Sequence, residues 1–308
     1  MAQETTATRS IKLVVLDIDG TLLNSEHELS DRNKKALKAA ADDGVKIALA
    51  TGRTQVSAQY VIDQLGIKVS GIWLQGLAIM DEAGETRYLQ TLDPVRVREI
   101  ITFVEDRGFP VVGFSGNRAL IRAEHEAVKT VLETYHEPTP ESVGPLHNLL
   151  ASVPMNKLMI VGQPRQLTAL RWQLNAQHDG AIRLLQAGVP EMLEVMPPGM
   201  SKGVALQTLM RDLEIDPDAV LVMGDAENDV EMIEAAGLGV AVGNATEHVK
   251  SVAQHVVGTN DEDGVAQAIE QFVIKRKLDE PVAEPAAAEE KKAAEPVAET
   301  SDEKTGEA

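Results

Sequence analysis

The chain has 308 residues, of which 44% are hydrophobic and 25% charged, and its formal net charge is −19. This composition is typical of a soluble globular protein with one large core or two domains, and the negative charge argues against a nucleic-acid partner. The sequence contains no cysteine, which excludes disulfides, thiolate zinc sites and cysteine nucleophiles. The polar N-terminus lacks a signal-peptide pattern and no apolar run is long enough to span a membrane, so the expected location is cytoplasmic.

Short apolar runs alternate with helical segments in the first and last parts of the chain. In the first part, Ser30 is predicted to cap a helix that stops at Gly44. The alternation predicts an α/β fold with a doubly wound parallel sheet, which binds ligands at the carboxyl ends of its strands. The runs predicted to be strands of this sheet are IKLVVL, VKIALA, GIWLQG, AVLVMG, LGVAVG and HVVG.

The middle of the chain differs from its ends, because its predicted strands and helices do not alternate regularly. We expect residues 84–189 to form an inserted α+β cap domain, with residues 10–83 and 190–274 forming the core domain. Residues 275–308 are rich in Ala, Glu, Pro and Lys and contain almost nothing large and apolar. Such a segment cannot offset its ordering entropy by burial, so it is predicted to be a disordered acidic tail.

The stretch KLVVLDIDGTLL places two carboxylates, Asp17 and Asp19, at the end of a buried strand. They share one face of an extended strand, and a desolvated carboxylate is costly unless it is paired or bound to metal. Asp-Gly-Thr is also good turn chemistry, and an EF-hand calcium loop is disfavoured because Gly20 stands fourth where that loop needs a glycine sixth. From this stretch alone, a turn and a metal or acid–base site remain equal alternatives.

Two other segments are suited to binding an anion. Thr51, Gly52 and an arginine follow the strand VKIALA, and their hydroxyl and free backbone N–H groups can hold a phosphoryl group while starting a helix. Lys202 stands in Ser-Lys-Gly at the start of another helix. A lone lysine is usually a solvated surface charge, but a compact cation at this position can neutralise a phosphoryl group.

The acidic segment DAEND, which begins at Asp225, follows the strand AVLVMG. One or two acidic residues are stabilised at the N-terminus of a helix, but a third acidic strand end in the same sheet needs another explanation. Acids that converge on one crevice repel each other unless a hard cation lies among them, and oxygen ligands indicate magnesium.

The motifs DIDGT, TGR, SKG and GDAEND occur in this order, and with them the sequence resembles the haloacid dehalogenase superfamily of aspartate-nucleophile phosphatases. It is most similar to the Cof-type branch, and the resemblance covers residues 12–272. The resemblance implies a Rossmann-like core with a large cap inserted after the third strand. It also implies a Mg²⁺-dependent phosphatase that hydrolyses small phosphomonoesters, such as sugar phosphates or related metabolites, through an aspartyl-phosphate.

The resemblance further implies a role for each matched residue. Asp17 is expected to be the nucleophile and Asp19 the general acid–base. Mg²⁺ is expected on the carboxylates of Asp17 and Asp225 and on the backbone carbonyl of Asp19. The residues expected to bind the phosphoryl group are Thr51, Gly52, Lys202 and Gly20, and those expected to support the site are Asn228, Asp229 and Asn244.

Two alternatives to a phosphatase stay open: a phosphosugar mutase, and a non-catalytic sugar-phosphate-binding protein on the same fold. The expected partner is a small phosphorylated metabolite, with neither nucleic acid nor membrane, and the sequence indicates no oligomeric state. One departure from the family pattern is Gln75 before Gly76, where Asn-Gly is usual. The sequence leaves the effect of this change open.

Overall fold

Two β-sheets organise the computed structural model, which describes residues 10–134, 137–186, 189–276 and 278. The strands are β1 (Leu13–Leu16), β2 (Lys46–Ala50), β3 (Val69–Trp73), β4 (Ala78–Met80), β5 (Thr86–Leu89), β6 (Val111–Ser115), β7 (Arg118–Ile121), β8 (Glu141–Ser142), β9 (Lys157–Val161), β10 (Arg183–Leu185), β11 (Met192–Met196), β12 (Val220–Gly224), β13 (Leu238–Ala241) and β14 (His255–Val256). The α-helices are α1 (Asp31–Asp42), α2 (Gln55–Leu65), α3 (Pro94–Glu105), α4 (Glu126–Thr134), α5 (Pro164–His178), α6 (Lys202–Asp212), α7 (Val230–Ala235), α8 (Glu247–Val252) and α9 (Gly264–Ala268).

The first sheet has the strand order β14-β13-β12-β1-β2-β3-β4-β5. It is parallel from β14 to β3, and β4 and β5 extend it in antiparallel fashion. From β1 the chain proceeds outward through β2 and β3, whereas β12 to β14 build the opposite side. The strand order therefore reverses beside β1, which is the point where doubly wound sheets bind their ligands, and the predicted α/β fold is confirmed.

The local signals in the first part of the chain agree with the structure. All four residues of β1 are fully buried, as expected for a strand covered on both faces. Ser30 caps α1 by accepting a hydrogen bond from the backbone N–H of Asn33 at 3.1 Å. The helix ends at Asp42, and Gly44 follows with φ +85°, a left-handed conformation that glycine adopts without strain.

The second sheet has the strand order β10-β11-β9-β6-β7-β8 and is antiparallel except for the pair β7 and β8. Two strands lie near the bounds predicted for the cap. Residues 86–89 pair with β4 in the first sheet, and residues 192–196 lie between β9 and β10 in the second. The described residues up to Leu278 form one compact unit, so the division into core and cap domains stays a prediction.

Most of the predicted tail, namely residue 277 and residues 279–308, lies outside the described residues. Within the described part of the chain, no helix combines the length and the apolar composition that crossing a membrane requires.

Asn33 ties the loop after β1 to α9. Its buried amide donates to the carbonyl of Leu22 at 3.3 Å and accepts from the backbone N–H of Ala266 at 2.9 Å. We expect Asn33→Ala to lower the free energy of unfolding by about 2 kcal/mol or more, because it leaves two buried backbone groups without a partner. Urea denaturation measures this loss. Lys38→Ala, an exposed change on the same helix, should cost less than about 0.5 kcal/mol, and equal stability of the two variants would contradict the assignment.

Candidate active site

Three strand ends of the first sheet meet at one edge. Leu16, the last residue of β1, lies opposite Met223 of β12 and Leu49 of β2. The residues that follow these strands, Asp17, Thr51 and Asp225, therefore come together beside the point where the strand order reverses. The backbone N–H of Asp17 still donates to the carbonyl of Met223 at 3.1 Å, so the sheet itself holds this residue in place.

Lys202 joins two of the acids at this edge. It is the first residue of α6, its side chain is 1% exposed, and its Nζ donates to Asp17 Oδ1 at 2.6 Å and to Asp229 Oδ1 at 2.7 Å. Ser201 caps the helix, which fixes the position from which the lysine extends. Burial lowers the pKa of Lys202, but the two carboxylates outweigh burial and raise this pKa above its usual value. The ammonium therefore stays charged.

Asp17, Asp225 and Asp229 form an acidic cluster, in which each offers one carboxylate oxygen and these oxygens lie within 4.8 Å of one another. Burial and the charge of Asp229 raise the pKa of Asp17 well above its usual value, although Lys202 opposes them. Burial likewise raises the pKa of Asp225 to about 6, with a further contribution from Asp229. With one ammonium among three carboxylates, the ionised cluster retains two negative charges.

The groups around the acidic cluster fit a hard divalent cation. The donors are all carboxylate oxygens, which such cations prefer. Gly20 has φ +78°, and a Cβ at this position would lie 2.5 Å from Asp225 Oδ2. Only glycine therefore avoids a steric clash with this carboxylate. Asn228 Oδ1 is buried and has no hydrogen-bond partner among the described residues, which leaves an acceptor beside the cluster for a ligand or a water.

Asp229 also holds the acidic loop, which is the segment DAEND at residues 225–229. Its second oxygen, Oδ2, accepts from the backbone N–H groups of Asp225 and Ala226, both at 3.0 Å. Asp225 is held from the other side by Thr21, whose hydroxyl donates to Oδ1 at 2.8 Å. Asp229 thus belongs to the acidic cluster itself, a closer position than the supporting role expected for it.

The carboxylate of Asp19 lies outside the acidic cluster and is held by Arg53. Nε of Arg53 donates to Asp19 Oδ2 at 2.8 Å and Nη2 to Oδ1 at 2.5 Å, a bidentate ion pair. His27 Nδ1 lies 3.5 Å from the same carboxylate. Metal binding by the backbone carbonyl of Asp19 therefore stays a prediction. No role was predicted for Arg53, although its place directly after Thr51 and Gly52 in the TGR motif was the available signal.

One cavity gathers most of the predicted site residues. It measures about 770 Å³ including its open mouth. The predicted residues that line it are Asp17, Asp19, Thr51, Gly52, Lys202, Asp225 and Asn228.

The remaining predicted residues, Gly20, Asp229 and Asn244, contact the cavity-lining residues or their neighbours from behind. Asn244 Nδ2 donates to the carbonyl of Gly20 at 2.8 Å, and its Oδ1 accepts from the backbone N–H of Asn260 at 2.9 Å. Asn244 thereby steadies the loop that carries Asp19 and Gly20.

Gln75 connects the acidic loop to the second sheet. Its Oε1 accepts from Asn228 Nδ2 at 3.0 Å, and its Nε2 donates to Glu194 Oε2 at 3.0 Å. Its backbone is left-handed, with φ 62°, and this turn after β3 aims the side chain into the cavity. The asparagine usual at this position is one methylene shorter and would reach less far from the same backbone. Gln75, the residue that departs from the family pattern, thus links a loop of the first sheet to a strand of the second.

Lys157 and Glu194 form a buried ion pair between β9 and β11. Lys157 Nζ also donates to the carbonyl of Gly52 at 2.9 Å, so the second sheet contacts the predicted phosphate-binding loop directly. Sequence reasoning missed this pair and the role of Gln75. A charged residue within each of the apolar strands KLMIV and MLEVM was the signal that a buried partner existed.

Comparison with known proteins shows the family of the chain. Residues 14–269 match the haloacid dehalogenase-like hydrolase family. Phosphatase YwpJ of Bacillus subtilis is 30% identical over 288 residues, which cover 85% of this chain and 100% of that protein. A solved structure of a haloacid dehalogenase-like hydrolase from Bacteroides thetaiotaomicron has a TM-score of 0.78 and 29% identity, and covers 85% of this chain and 99% of that one.

A further relative is the chloroplastic endoribonuclease YBEY of Arabidopsis thaliana, which is 32% identical over 268 residues. The match covers 84% of this chain but only 46% of that protein, so this chain spans less than half the length of that relative. The family match covers most of the chain, and the motif order had indicated the same branch. The chain therefore belongs to the haloacid dehalogenase-like hydrolase family, in its Cof-type branch.

Proposed function

We propose that this chain, a phosphatase of the haloacid dehalogenase-like family, hydrolyses small phosphomonoesters in a Mg²⁺-dependent reaction through an aspartyl-phosphate on Asp17. The observation that carries the proposal is the buried contact of Asp17 with Lys202 inside the acidic cluster. The relative named Phosphatase YwpJ supports the reaction type. Sugar phosphates or related metabolites are the proposed substrates, and the cytoplasm, which suits a chain without cysteine, is the proposed location.

In the first proposed step, a carboxylate oxygen of Asp17 attacks phosphorus, and the bond between phosphorus and the leaving oxygen breaks. Thr51 and Lys202 bind the phosphoryl oxygens and offset their charge. Asp19 gives a proton to the leaving oxygen, which releases the alcohol. For this step Asp19 has to exchange its ion pair with Arg53 for the substrate oxygen, since both of its carboxylate oxygens accept from the guanidinium.

In the second proposed step, Asp19 takes a proton from a water molecule, and the water oxygen attacks phosphorus. The bond between phosphorus and Asp17 breaks, which restores the carboxylate and releases inorganic phosphate. Asp17, Asp225 and the backbone carbonyl of Asp19 would hold Mg²⁺, which would neutralise part of the charge on the crowded oxygens. This would favour the ionised form of Asp17, whose pKa burial and neighbouring acids raise.

The two alternatives differ from the proposal in their products. A phosphosugar mutase would form the same aspartyl-phosphate but return the phosphoryl group to a sugar, so it yields an isomerised product instead of free phosphate. A non-catalytic binding protein would hold its ligand tightly with Mg²⁺ and show no turnover on a broad panel of phosphate esters. The complete set of acids at the cavity argues against the non-catalytic alternative, and the product separates hydrolysis from a mutase reaction.

The nucleophile can be tested by Asp17→Asn. We expect the turnover of p-nitrophenyl phosphate with Mg²⁺ to fall by at least about a thousandfold, because the amide cannot form the covalent intermediate. Asp63→Asn, an exposed change on α2, is the matched control and should keep full activity. Thermal melting checks that both variants fold, and a folded Asp17→Asn variant with normal turnover would refute the assignment.

The metal site predicts a pH dependence. The pKa of Asp225 in the ion-free protein is about 6, so below this pH the carboxyl holds a proton that must leave before a cation binds. We expect the Mg²⁺ affinity measured by calorimetry to fall as the pH drops below about 6, by up to about tenfold per pH unit for one proton. Asp225→Asn should bind Mg²⁺ more weakly and with a shallower pH dependence. Wild-type affinity that is unchanged between about pH 5 and about pH 7.5 would contradict the proposed site.

A further inference from the structure

We propose that, among the sugar phosphates and related metabolites proposed above, the cavity favours those whose leaving group turns an apolar face, instead of ring hydroxyls, toward the wall that the second sheet and α4 contribute. This inference rests on the proposed hydrolysis of a phosphomonoester at the floor of the same cavity. The floor is built from loops of the first sheet and is strongly polar. The two sides of the cavity therefore suit different parts of one substrate, with the phosphoryl group on the floor and the alcohol against the wall.

The wall opposite the floor is mainly apolar. Phe114 of β6, Met159 of β9 and Met192 of β11 contribute its sheet side. Val131 and Leu132 of α4 contribute its helix side. Methionine side chains adapt to ligands of different outline and contact aromatic rings favourably. Phe114, Leu132 and Met159 are at most 2% exposed. The accessible carbon and sulfur surface of the wall therefore belongs mainly to the half-buried residues Val131, Val189 and Met192.

One acidic residue that lines the same side, Glu137, already has partners for both of its oxygens. Oε1 accepts from the backbone N–H of Thr54 at 3.0 Å and Oε2 from its hydroxyl at 2.7 Å. Thr54 is the N-cap of α2, so this carboxylate is engaged at a helix start that also favours negative charge. Two hydrogen bonds therefore fix the Glu137 carboxylate against the start of α2.

The other two charged residues of the wall are also engaged. Glu194 accepts from Lys157 through one oxygen and from Gln75 through the other, at 3.0 Å in the second case. Lys157 donates to the carbonyl of Gly52 at 2.9 Å in addition to its pairing with Glu194. These bonds hold the wall to the floor. The charged side chains of the wall thus already have partners within the protein, and its apolar atoms remain for the leaving group.

A sugar ring in this position would have to bury hydroxyl groups against carbon and sulfur. A buried hydroxyl without a partner costs free energy, because it loses its hydrogen bonds to water. An apolar ring of the same size would instead remove its own surface and that of the wall from water. The substrate class narrows to phosphomonoesters of alcohols with an apolar face.

A matched pair of substrates tests this selectivity. Glucose 6-phosphate and cyclohexylmethyl phosphate both carry the phosphate on a methylene attached to a six-membered ring, and they differ mainly in the ring hydroxyls. We expect kcat/KM with Mg²⁺ to be at least about tenfold higher for cyclohexylmethyl phosphate. Equal values, or a preference for glucose 6-phosphate, would overturn the inference.

A binding measurement separates this inference from the proposed function. The non-hydrolysable phosphonate analogues of both compounds are titrated by calorimetry into the wild-type protein with Mg²⁺. At least about tenfold tighter binding of the cyclohexyl analogue supports the apolar wall even if neither phosphate ester is hydrolysed, an outcome that would refute only the proposed hydrolysis. Equal binding, tighter binding of the sugar analogue, or no binding of either analogue overturns the inference.

Variants of the wall test whether its residues determine the preference for the cyclohexyl compound over the sugar. Met192→Gln and Val131→Gln change half-buried positions of the wall, and each should reduce the preference for the cyclohexyl compound by about tenfold. A general loss of folded protein would lower both rates and leave their ratio unchanged. Val95→Gln on α3 is the matched control, because Val95 is exposed and lies outside the cavity, and it should leave the ratio as in wild type. An unchanged ratio in both wall variants would overturn the inference.

Discussion

The buried ammonium of Lys202 holds together carboxylates that would otherwise repel one another. Its Nζ contacts Asp17 and Asp229 at hydrogen-bonding distance, and all three side chains are almost completely removed from water. Taking such charges out of water costs on the order of several kcal/mol per ion, which is offset only when the partners are close and well oriented. One ammonium cannot neutralise the whole cluster, since Asp225 lies in it as well. The residual negative charge is what makes the cluster suited to a divalent cation.

The same constraint explains why so many neighbours serve the site without lining its cavity. Gly20 leaves space for Asp225, and Asn244 binds the carbonyl of Gly20. Asp229 accepts two backbone N–H groups of the acidic loop while it contacts Lys202. Each of these contacts limits the movement of a charged group. Electrostatic stabilisation of a phosphoryl group depends on such fixed positions, because groups that must first reorient contribute less.

The second sheet takes part in the geometry of the site as well as in its walls. Lys157 and Glu194 form an ion pair within that sheet, and both also bind atoms of the first-sheet loops. Gln75, which donates to Glu194, also accepts a hydrogen bond from Asn228 of the acidic loop. A displacement of β9 or β11 would therefore shift residues at the floor of the cavity. The wall and the floor of the cavity are therefore parts of one hydrogen-bonded network.

Much of the fold and of the candidate site could be predicted, because the relevant signals are local. Continuous apolar runs mark the buried parallel strands, and Ser30 and Gly44 mark the ends of α1. The sheet that each remaining strand joins could not be predicted in this way. Residues 86–89 join the edge of the first sheet and residues 192–196 lie between two strands of the second, and a short strand contains no local information about which sheet it will join.

By itself the sequence determined the strand-end motifs and their order, and hence that Asp17, Thr51 and Asp225 would converge. This follows from the geometry of a parallel sheet, whose strands all end at the same edge. Only the tertiary structure decided that Asp19 pairs with Arg53, that Asp229 joins the acidic cluster, and that Gln75 reaches Glu194. Those partners lie far apart in the chain, and a charged side chain selects its partner by distance and burial, which packing alone establishes.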